Sequence, residues 1–127
     1  MKITEAFEGL KRIANGDYVL EGDLVSEESI EIELNDRFVV KGKIVSKKHI
    51  KAGCGIEAGE GIEAGEGIKA GWGIKAKKYI HSDKRIFAGI SVYHTSENCK
   101  KDIKCAELRK GEICYGNLVI VKTTEEG

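Results

Sequence analysis

The chain has 127 residues, 41% of them hydrophobic, with 21 basic and 21 acidic side chains and a formal net charge of zero. That length fits a single domain over 1–127, and the apolar content excludes a disordered chain. Zero net charge excludes the global field of a nucleic-acid binder, so nucleic acid is not expected as a direct ligand.

Residues 3 to 15 predict a short amphipathic helix, with Thr4 at its start and Asn15-Gly16 at its end. Ile3, Phe7, Leu10 and Ile13 or Ala14 share one face at helical spacing. A helix this short is marginal alone in water, so it is expected to cap an open core over residues 1–16. From Asp17 to Leu34, Tyr18, Leu20 and Leu24, then Ile30, Ile32 and Leu34, alternate as short strands of an irregular first coil. Phe38 and Val40 continue the alternation after an Asn35-Asp36 corner. The large inner residues suggest a wider coil toward this end.

The next stretch is the most regular. Ile stands at 44, 50, 56, 62, 68, 74, 80 and 86, with Ser or Ala two residues after each. A period of six with apolar residues at positions one and three is a strand alternation, not a helical one. From Gly53 to Gly73 the other positions read Gly-x-Gly, which suggests corners where the backbone turns or takes positive φ. Each hexad buries its Ile and Ala only against another hexad, so the units must stack. A parallel β-helix over 17–91 is the simplest solution, with about three triangular coils roughly 15 Å tall at strand spacing.

Three hexads per coil would stack residues eighteen apart. Glu57 then falls over Lys75, Glu60 over Lys78, and Glu66 between Lys48 and Lys84. Opposite charges in such ladders are favourable. Lys51 over Lys69 runs against this register, while a two-hexad coil would stack Glu60 on Trp72. The triangular coil is preferred.

Past Ala88 the period fails. Ser91 to Asn98 reads as a loop, and residues 92–122 as a C-terminal strand cap, with a frayed tail at 123–127. The four cysteines, Cys54, Cys99, Cys105 and Cys114, form no CxxC pair and read as reduced thiols. Cys105 and Cys114 are expected to face inward. The alternative is zinc held by Cys99, Cys105 and Cys114 with His94; no metal and no cofactor are expected. No apolar run is long enough for a membrane span and no signal peptide stands at the start, which predicts a cytoplasmic protein.

The Ile-x-Ala hexads resemble the hexapeptide-repeat β-helices and, more loosely, the polymer-forming bactofilins. Here the small residue follows the aliphatic one by two positions; in the left-handed hexapeptide proteins it precedes it. The resemblance implies two alternatives to a simple binding protein. One is a self-assembling scaffold, a homo-oligomer. The other is an acyltransferase, with His81 or His94 as the base. The chain lacks P-loop, GxGxxG, Ser-His-Asp and HExxH patterns, and no catalytic residue is assigned. The preferred expectation is a non-enzymatic, protein-binding β-helix that acts by steric occlusion. In size and style it is similar to small phage-encoded inhibitors, anti-CRISPR proteins among them. Its partner would be a protein, a nucleoprotein complex included. The expected contact surface centres on Trp72, widened by Tyr79 and Phe87 and flanked by Glu60, Glu66 and Lys78.

Overall fold

The computed structural model describes residues 1–14, 16–89 and 102–120, where every regular element is a strand. In chain order these are β1 (Lys2–Ile3), β2 (Lys11–Arg12), β3 (Tyr18–Leu20), β4 (Leu24–Ser26), β5 (Ile30–Ile32), β6 (Phe38–Val40), β7 (Ile44–Ser46) and β8 (Ile50–Ala52). They continue with β9 (Ile56–Ala58), β10 (Gly61–Ala64), β11 (Ile68–Ala70), β12 (Ile74–Ala76), β13 (Tyr79–Ala88), β14 (Asp102–Cys105), β15 (Glu107–Tyr115) and β16 (Asn117–Ile120). They wind into an all-β parallel solenoid of about five turns.

Three walls result. Wall A stacks β4, β7, β10 and the first part of β13. Wall B stacks β1, β5, β8, β11 and the last part of β13. Wall C stacks β3, β6, β9, β12, β14 and β16, with β2 antiparallel on β3. β13 bends round the corner between walls A and B, and β15 lies on it.

The eighteen-residue register holds through the hexads. Ile44, Ile62 and Ile80 stack on wall A, Ile50, Ile68 and Ile86 on wall B, and Ile56 on Ile74 on wall C. All are buried, and each contributes roughly 1.5–3 kcal/mol. Lys51 does lie on Lys69. The first coil is longer: Tyr18 pairs with Phe38, Leu24 with Ile44 and Ile30 with Ile50, twenty apart in each case. The two extra residues sit in the corner between β5 and β6, where Leu34 turns inward and is buried. On wall A, Ser46 and Ser82 replace Ala at the small inner position. Each hydroxyl donates to a corner carbonyl, that of Glu28 at 2.8 Å and that of Glu66 at 2.9 Å, so neither polar group is buried unpaired.

Three expectations change. First, no helix covers residues 3 to 14. Ile3 pairs with Ile32, and the Glu33 amide donates to the Ile3 carbonyl at 2.8 Å. Two tight turns follow, with the Phe7 amide on Thr4 O and the Leu10 amide on Phe7 O. Gly9 at φ +88° breaks any helical run. Phe7 and Leu10 still rest against the core, so the three-residue spacing is served by turns. Asn15 lies outside the described residues. Second, the stack has about five turns, not three, because strands at both ends join it. Residues expected to close the last coil form β14 to β16, which pair parallel with β12, β13 and β14 and lengthen the tower. Third, none of the glycines from Gly53 to Gly73 has positive φ. Their role is close approach: a Cβ on Gly59 or Gly65 would run into the carbonyl oxygen of Lys41 or Lys47 in the coil below.

Candidate binding groove

The outward positions of wall B build a groove. On β5, β8, β11 and β13 the alternation that buries Ile and Ala turns Glu31, Lys51, Lys69 and Phe87 outward, one above another. The next column, at the corner that leads into these strands, runs Ser29, His49, Gly67 and Arg85 by the same register. Gly67 has no side chain, so its column dips there. A Cβ at Gly67 would sit 3.0 Å from the Arg85 carbonyl oxygen and 3.9 Å from His49 Nδ1. The resulting cavity, about 650 Å³, is lined by these residues together with Asp83, Lys84 and Glu112.

Its electrostatics are uneven. Lys51, Lys84 and Arg85 form no ion pair among the described residues. Lys69 lies over the Phe87 ring, 5.5 Å from its centroid. His49 Nε2 is 2.7 Å from Glu66 Oε1. Acids sit at the margins. Glu31 pairs in register with Lys51, and Glu112 with Arg85. Asp83 is 3.0 Å from His81 Nε2 and 3.4 Å from Lys110 Nζ. The hydrogen bond from His81, and then the charge of Lys110, hold its carboxyl below the ordinary range. The centre of the groove is therefore cationic and its ends are acidic.

The six residues expected at a contact surface do not share one wall. Glu60 and Lys78 stack at the corner between walls C and A, where the Lys78 amide donates to the Glu60 carbonyl at 2.8 Å, and Tyr79 follows on the same edge. Glu66 stacks between Lys48 and Lys84 at the A–B corner, beside the groove. Phe87 lines the groove. Trp72 stands at the third corner, between walls B and C, half-buried, with its amide 3.4 Å from the Cys54 carbonyl. Tyr79 thus opens wall A, Phe87 faces out from wall B, and Trp72 stands at the far corner of wall B. Ile90, eighteen residues on from Trp72, lies outside the described residues. So do His94 and Cys99, on which the zinc reading depended. Cys105 is buried in the inner column, and burial raises its thiol pKa. Cys114 is exposed, because a register shift in β15 gives the position opposite Ile86 to Ile113.

Tyr79 has its own environment. Its ring rests on Gly61, Arg109 covers it at 3.8 Å from the centroid, and its hydroxyl donates to Glu63. Desolvation, then the Glu63 hydrogen bond, push its pKa up to about 12. A tyrosine in the unfolded chain ionises near pH 10, so folding holds the proton more tightly. The contribution is complete below pH 10 and is lost as pH rises from there toward 12. Melting scans are expected to fall more steeply over that window for wild type than for Tyr79→Phe. Parallel pH curves would contradict the assignment.

None of His49, Lys51, Gly67, Lys69 and Arg85 belongs to the contact surface expected from the sequence. The signal available was the like-charged pair Lys51 and Lys69, eighteen apart. The groove and the register define the class: a β-solenoid with a cation-centred recessed wall. The chain matches no family model, and neither curated proteins nor solved structures give a significant match. Among the described residues, no helix is long and apolar enough to cross a membrane.

Proposed function

We propose that this protein is a non-enzymatic binding module whose wall B captures a protein partner and occludes the surface it covers. The observation that supports this is the groove: a recessed, cation-centred site on a wall whose inner side is locked by fully buried isoleucines. A rigid, preformed surface loses little freedom on binding, which favours affinity. A small phage-encoded inhibitor, of the anti-CRISPR kind, is one sort of protein that works this way. Tagged wild-type protein incubated with a lysate of its host is expected to retain one discrete protein at fixed stoichiometry, and Lys51→Thr/Lys69→Thr is expected to lose it. Equal retention by both would reject wall B as the contact surface.

A second reading, the self-assembling scaffold, has one observation in its favour. Tyr115, Leu118 and Ile120 on the last strands are large and 42–46% exposed, as an open coil end would be. Against it, Phe7 and Leu10 cover the core at the other end, and head-to-tail growth needs both ends open. Sedimentation separates the two: a discrete monomer or dimer fits the binding module, and filaments fit the scaffold.

A further inference from the structure

We propose that the groove on wall B recognises an acidic, extended peptide segment, with Lys51, Lys69 and Arg85 holding its carboxylates. This names the partner's chemistry at the site described above and rests on that reading.

Charge placement is the first reason. In a stacked ladder, opposite charges directly across from one another stabilise and like charges destabilise. Glu31 on Lys51 and Glu57 on Lys75 follow that rule. Lys69 on Lys51 breaks it; Arg85, a third cation in the adjoining column, faces Glu112 in register but forms no ion pair among the described residues. A second lysine pair, Lys75 on Lys104, lies on wall C and serves as a built-in control.

The second reason is geometry. The wall amides are already committed to the ladder; the Ile50 amide, for one, donates to the Gly67 carbonyl at 3.0 Å. Strand amides held in this way do not form a nest for a compact phosphate, and recognition falls to separate side chains. Lysine bases one rung apart, about 4.8 Å, carry flexible stems that reach the roughly 6.7 Å repeat of side chains on one face of an extended peptide. Glu31 and Glu112 at the two ends repel further acids, which limits the motif to two or three carboxylates. Phe87 above Lys69 offers an apolar contact to a flanking residue. The pattern recognised is acidic, any, acidic, any, apolar, which keeps the three contacting side chains on one face.

A fluorescent peptide of sequence Gly-Glu-Thr-Glu-Thr-Leu-Gly is the probe, read by anisotropy. Wild type is expected to bind it, more weakly as salt rises. Lys51→Thr/Lys69→Thr should bind about tenfold more weakly or worse. Lys75→Thr/Lys104→Thr should change affinity by less than about twofold. Both pairs face outward, so melting midpoints should stay within about 3 °C of wild type. If the wall B double variant melts lower than that, Arg85→Gln carries the same test. No binding by wild type, or equal weakening by both double variants, overturns the proposal. So does displacement of the peptide by inorganic pyrophosphate at lower concentration than by unlabelled peptide, which would mark a phosphate site. The two readings fail separately. A host partner lost by the variant, with no peptide binding, rejects only the acidic motif; peptide binding with no host partner rejects only the protein-capture reading.

Discussion

Ile62→Asp is expected to abolish the cooperative unfolding transition and the β-sheet circular dichroism signal. Ile62 is fully buried between Ile44 and Ile80 in the central coils of wall A. Removing its side chain forfeits roughly 1.5–3 kcal/mol of burial. Placing a carboxylate there adds the cost of a charge with no partner in an apolar column, for a total above about 4 kcal/mol. A solenoid has no alternative core, since each coil is buried only by its neighbours. The strands above and below Ile62 therefore lose their support with it. Ile62→Val, which keeps the shape and removes one methylene, should cost only about 0.5–1.5 kcal/mol. An aspartate variant that melted like wild type would mean that the isoleucines do not line the interior.

The second large effect separates two glycines with the same place in the repeat pattern. Gly65→Ala is expected to destabilise by about 1–3 kcal/mol, while Gly53→Ala is expected to be neutral or stabilising by about 0.4–1 kcal/mol. Neither has positive φ, so torsional strain does not distinguish them. Space does. A Cβ on Gly65 strikes the Lys47 carbonyl, with the carbonyl carbon itself 2.8 Å away. Those are backbone atoms held by the coil-to-coil ladder, in which the Gly65 amide donates to Ser46 O at 2.9 Å and cannot step aside. A Cβ on Gly53 meets nothing nearer than the Leu34 carbonyl at 3.7 Å. There the substitution chiefly reduces the freedom of the unfolded chain. Thermal or urea denaturation of the two variants decides it, and equal losses at both sites would contradict the close-approach account.

The repeat was legible because burial dictates it. Ile and Ala two apart, six residues on and six again, can be covered only by stacking, and the charges at Glu57 and Lys75 already fit the eighteen-residue step. Residues 3 to 14 were not, because Ile3, Phe7 and Leu10 meet the core equally well from a helix or from successive turns. What decides between them is a ladder partner, Ile32, distant in sequence. The extent of the stack was hidden for a related reason. Past Ala88, Ile103 still lands on Ile74, but across a longer interval than the period allows. Repeat glycines suggested positive φ, whereas the atoms that demand them, the carbonyls of Lys41 and Lys47, belong to another coil.

The groove was half visible. The mismatch of Lys51 and Lys69 could be read from spacing alone, and it counted there as an objection to the register. In three dimensions the same pair is the centre of a recessed wall, next to Gly67 and Arg85. Trp72 draws attention as the lone tryptophan, and the register puts it at the corner between walls B and C, outside the lining of the groove. An amino-acid type marks a candidate, but only the register assigns it to a wall.

The register that places Lys51 on Lys69 can be read directly from backbone nuclear Overhauser contacts in the wild-type protein. Contacts between residues eighteen apart, Lys51 to Lys69 and Glu57 to Lys75, are expected, with none between Lys51 and Glu63, twelve apart on another wall. Contacts at twelve and none at eighteen would contradict the triangular coil, and the groove and its proposed ligand would go with it.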